Sequence, residues 1–71
     1  MNNDEIFALV KRVELMDEDC QLILSNRQLD WLWDLVEHVD AGRFQKVSDN
    51  AIKFLQSCES GFYSASSENY H

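Results

Sequence analysis

Apolar residues recur at intervals of three and four along three stretches of this chain, and each stretch is bracketed by residues that start or stop a helix. Ile6, Leu9, Val10, Val13 and Met16 make the first stripe, with Phe7 just outside it. Leu29, Leu32, Leu35, Val36 and Val39 make the second, and Ala51, Ile52, Phe54, Leu55 and Cys58 the third. At about 100° per residue, such spacing gathers each set onto one face of a helix. Asn3 is expected to cap the first helix, with Asp4 and Glu5 well placed at its positive end. Three consecutive acids from Asp17 should end it by opposing the helix dipole. Ser25 and Gln28 form a capping box for the second helix, Leu24 can staple onto Leu29, and Gly42 supplies a left-handed stop. Ser48 caps the third helix, with Asp49 in its first turn, and Gly61 ends it.

The pieces between the helices are shorter and less periodic. Cys20 to Leu24 (CQLIL) is either a connector whose apolar residues plug the core or a short strand. With no second convincing strand to pair with, a strand would leave backbone groups unsatisfied, so the connector is expected. In the loop from Arg43 to Val47, Phe44 and Val47 should turn inward while Arg43 and Lys46 face water. From Ser64 the chain becomes polar and loses its period, which reads as a frayed tail. The pattern therefore predicts an all-α fold, a small three-helix bundle or a helical hairpin with a third packing helix. It forms one helical domain over residues 1–63, with a flexible polar tail over 64–71.

Charge sharpens the picture because it is unevenly spread. The formal net charge is −7. From Glu14 to Asp40 there are eight carboxylates and only one base, Arg27, so the whole net charge belongs to this middle segment. A field of that sign repels phosphate and favours basic protein surfaces, so direct nucleic-acid binding is not expected. The segment through Gly42 could be mistaken for a helix-turn-helix. Its first helix would bring Asp30, Asp34, Glu37 and Asp40 toward the DNA backbone, which argues against that reading. The two cysteines, Cys20 and Cys58, match no ligand or redox spacing and are expected to be buried free thiols. The N-terminus lacks the basic region of a secretory signal, and no run approaches the length needed to span a bilayer. A cytoplasmic protein with no membrane contact is the expectation.

Candidate chemistry is sparse. His38 follows Asp34 by one helical turn, so a carboxylate–imidazole pair is sterically natural. No nucleophile shares that face, and the other histidine, His71, sits in the polar tail, so no catalytic residue is assigned and no enzyme is expected. Asp17, Glu18 and Asp19 lack the loop spacing of a calcium site, and Cys20, Cys58 and His38 lack that of zinc. No metal or other cofactor is expected.

The two tryptophans carry the sharper signal. Trp33 borders the apolar stripe of the second helix near Asp40, and Trp31 borders it on the other side near His38. An apolar arc of roughly 200° is wider than one helix partner covers. Trp33 is expected in the monomer core and Trp31 at an interface, since exposed indoles concentrate binding energy. So small a core supplies only a few kcal/mol, which makes oligomerisation expected, most simply a homodimer centred on Trp31, Leu32 and Leu35. Asp30, Asp34 and Glu37 form an acidic strip along the polar side, with Trp31 on another flank. The candidate protein-binding set is thus Trp31, Leu32, Leu35, Asp30, Asp34, Glu37 and His38.

The run LSNRQLDWLWDLVEHV, within a short, acidic, helical chain, resembles in type the small early-region accessory proteins of lambda-like temperate phages. The resemblance spans mainly Asp4 to Phe62 and carries no diagnostic motif, so it transfers no functional residue. It implies a non-enzymatic accessory protein that alters host physiology or the lysis–lysogeny balance through contacts with a host or phage protein in the bacterial cytoplasm. The acidic field adds that such a partner should offer a basic surface. A row of helical carboxylates suggests an alternative, an inhibitor that imitates nucleic acid and occupies a DNA-binding protein.

Overall fold

Each helix begins where a side chain can satisfy its first free N–H groups. The computed structural model describes residues 1–65. Helix α1 spans Asn3–Glu18 and is capped by Asn2, one residue earlier than expected. The Asn2 side chain accepts from the Glu5 N–H at 2.8 Å, and Glu5 Oε1 accepts from the Asn2 N–H at 3.3 Å. The shift has a simple cause. Counted from Asn3, the third helical residue would be Ile6, which cannot return the bond that closes a capping box. Helix α2 spans Asn26–Asp40 behind the expected Ser25–Gln28 box, and α3 spans Asp49–Glu59 behind Ser48, whose hydroxyl accepts from Ala51. A 3-10 turn, Phe44–Lys46, joins α2 to α3.

All three helices end in the same paired arrangement, in which two N–H groups past the helix bond back to carbonyls of the last turn. Gly42 and Gly61 occupy the left-handed position after α2 and α3, at φ 77° and 92°. After α1 that position falls to Cys20, at φ 58°. Its N–H donates to Asp17 O and that of Gln21 to Met16 O. This geometry turns Cys20 outward. It is exposed, which corrects the expectation of two buried thiols, whereas Cys58 is fully buried; both are free.

The three stripes meet in one core. Leu9, Val10, Val13, Leu32, Leu35, Leu55 and Cys58 are all nearly or wholly inaccessible. Helix α1 packs against both α2 and α3, with Leu22 and Val47 closing the gaps. The molecule is a small all-α three-helix bundle. CQLIL is a connector, as expected, but it is not unpaired. Leu22 forms one antiparallel bridge with Ser64, through Ile23 N–H to Tyr63 O at 2.7 Å and Ala65 N–H to Gln21 O at 2.8 Å. Ser64 and Ala65 therefore belong to the folded unit, a correction to a tail beginning at 64. The remainder of that expected tail, residues 66–71 with His71, lies outside the described residues.

Candidate functional site

Helix α2 divides into a buried face and two flanks, each led by a tryptophan. Leu32 and Leu35, expected at the centre of an interface, are 0% and 1% exposed and belong to the monomer's own core. That corrects their assignment as protein-binding residues and removes the expected centre of a homodimer. The apolar arc that appeared too wide for one chain is buried along its centre, where α2 packs on α1 and on the 3-10 turn, while the tryptophans at its two edges stay exposed.

On the first flank Trp31 is 38% exposed and lies flat on Phe54 of α3, with centroids 4.7 Å apart and planes 11° from parallel. Phe54 meets Tyr63 edge-on at 5.8 Å, and Tyr63 meets Phe62 edge-on at 4.8 Å. A row of four rings thus runs from α2 across α3 to the C-terminal turn, buried at Phe54 and open at Trp31 and Phe62. Stacking holds the Trp31 ring in place, which lowers the entropy an indole loses when it becomes part of an interface.

Asp34 and His38 continue the same flank one and two turns on. His38 Nε2 is 3.2 Å from Asp34 Oδ2, and His38 Nδ1 accepts from Arg43 Nε at 3.1 Å. Because Nδ1 accepts, the ring proton sits on Nε2 and faces the carboxylate. The imidazole is therefore a fastener between α2 and the following loop, and Arg43 is half-buried where it was expected to face water. Asp30, Asp34 and Glu37 are exposed, as a strip on the polar side requires. Trp31 is not segregated from that strip. It lies three residues before Asp34 and so next to it on the helix surface.

On the opposite flank Trp33, expected in the core, is 46% exposed. Its neighbour on the core side, Val36, is buried, and Trp33 is left along the rim. There it borders a shallow groove between α1 and α2 with Glu14, Val36, Glu37, Asp40 and Ala41. Lys11 reaches into this region from α1, with Nζ 2.7 Å from Asp40 and 3.3 Å from Glu14, and 5.5 Å over the Phe7 ring. The hydrogen bond that Lys11 donates to Asp40, reinforced by Glu14, raises its ammonium above its ordinary range. None of this cross-helix grouping is visible in sequence spacing. The available hint was that Trp33, Glu37 and Asp30 are four and three residues apart, which places the indole among carboxylates.

No group of side chains able to hold a metal ion occurs among the described residues, and none of their helices is long and apolar enough to cross a membrane. No protein-family model matches the chain, and no curated protein or solved structure is significantly similar to it.

Proposed function

We propose that this is a small, acidic, non-enzymatic regulatory protein that binds a host or phage protein through the Trp31 flank of α2. The observation that carries the reading is the flat stack of a half-exposed Trp31 on the buried Phe54. A preorganised indole beside Asp34 and close to Asp30 combines an apolar anchor with charges that steer a basic surface toward it. The binding set is accordingly Trp31, Asp30, Asp34 and Glu37, with His38 holding Asp34 in position. A role in phage development or host physiology, in the bacterial cytoplasm, is the setting this reading supplies for such a partner.

The test compares partner capture and affinity for the wild type, Trp31→Ala, and a variant with Asp30, Asp34 and Glu37 replaced by their amides. Anchoring predicts a loss of about 2 kcal/mol or more for Trp31→Ala, while the amide variant mainly slows association. If the protein instead imitates nucleic acid, the amides abolish binding, Trp31→Ala is nearly silent, and salt weakens the wild type steeply. The half-engaged state of Asp34 on His38 favours the anchor, since a phosphate mimic gains most from carboxylates left free.

A further inference from the structure

The groove on the other flank of α2 has a different chemistry from the Trp31 row. We propose that it receives an arginine side chain from a partner protein, with the guanidinium flat on Trp33 and paired to Glu37. The site is independent of Trp31 and can fail or hold without it.

Four observations converge on that occupant. Trp33 is 46% exposed, and among the described residues it makes no ring contact and no side-chain hydrogen bond, so its indole face is available. Glu37, one turn further on, has no ion pair among the described residues and lies beside that ring. The groove's other two carboxylates, Glu14 and Asp40, already hold a cation, the Lys11 ammonium. That resident pair is the same recognition carried out within the chain, down to a nearby aromatic ring at Phe7. Finally, Val36 and Ala41 give the groove an apolar lining against which a methylene stem can lie.

The chemistry selects arginine over other cations. A guanidinium is planar, weakly hydrated and forked, so it can stack on an indole and bond a carboxylate at once. An ammonium, as Lys11 shows, can serve carboxylates with a ring nearby. It is compact and strongly hydrated, however, and has neither the planar face that stacks on an indole nor the fork that matches a carboxylate. A bare divalent ion would find Glu37 alone, because Glu14 and Asp40 are taken. A second copy of this chain is disfavoured as the source, since two molecules of formal charge −7 repel each other.

The experiment titrates the full-length, nitrogen-15-labelled chain with an acetylated, amidated alanine–arginine peptide and with its lysine-for-arginine twin, at matched salt. The expected result is a saturable shift of the Trp33 indole N–H that exceeds any shift at Trp31. Affinity for the lysine twin should be weaker by about tenfold. Glu37→Gln should weaken the arginine peptide by about fivefold or more, and Trp33→Ala should remove saturable binding, both with backbone spectra that retain the folded dispersion. Equal affinity for the two peptides would reduce the site to unspecific charge and overturn the proposal. So would a response confined to the Trp31 indole, or unchanged arginine binding by Glu37→Gln.

Discussion

The guanidinium of Arg12 grips Glu59 through two nitrogens, Nε at 2.6 Å and Nη2 at 3.1 Å, and so ties the outer face of α1 to the last residue of α3. The hydrogen bonds from Arg12 hold the Glu59 carboxyl below its ordinary range. A carboxylate shifted downward by folding stabilises the native state above its unfolded pKa and loses that contribution as pH falls through the folded value. Glu59→Gln should therefore have a lower urea midpoint than the wild type at neutral pH. The gap should close as pH falls through the folded value and both chains become neutral at this position. A gap that persists unchanged in acid would mean that the ion pair is not its source.

Cys58 and Cys20 should separate by rate in thiol labelling. Cys58 is fully buried, and burial pushes its thiol up to about 11, with the charge of Asp17 adding to the effect. An aromatic disulfide reagent should modify the exposed Cys20 quickly and Cys58 only at the rate of unfolding. The same shift gives an alkaline limit. The buried thiol favours folding while neutral, and that contribution fades as pH rises from the unfolded value toward about 11. Cys58→Ala, though less stable overall, should lose less of its stability than the wild type over that range. Equal labelling rates at the two cysteines would contradict the burial of Cys58.

Leu32 and Trp33 are sequence neighbours with opposite expected consequences. Leu32→Ala empties part of a closed core and should cost about 2–5 kcal/mol, enough to unfold a marginal domain of this size. Trp33→Ala acts at the rim and should change stability by less than about 1 kcal/mol. Circular dichroism with urea titration distinguishes them, and a Trp33 variant that unfolds would return that indole to the core.

Cys20 occupies a backbone conformation that disfavours side chains, at φ 58°. Cys20→Gly relieves that strain but frees the unfolded chain, so the net gain should be a few tenths to about 1 kcal/mol. An unchanged or lower urea midpoint would show that Cys20 sits there without strain.

Much of this molecule was determined within a few residues of sequence. The three stripes, the Ser25–Gln28 box, the Ser48 cap and the glycine stops at 42 and 61 each depend on contacts inside one or two turns, and spacing alone specifies them. The acidic strip of Asp30, Asp34 and Glu37 and the approach of Asp34 to His38 follow from the same local period. What lay beyond reach was which flank each neighbour would cover. Helical period tells which residues point together, but not what stands opposite them. Only packing brought Phe54 under Trp31, left Trp33 at the rim, closed Leu32 and Leu35 inside the monomer, and carried Lys11 to Asp40. The bridge from Leu22 to Ser64 is of the same kind. Its two segments are far apart in the chain and share no pattern, and they meet because α3 ends where the connector passes.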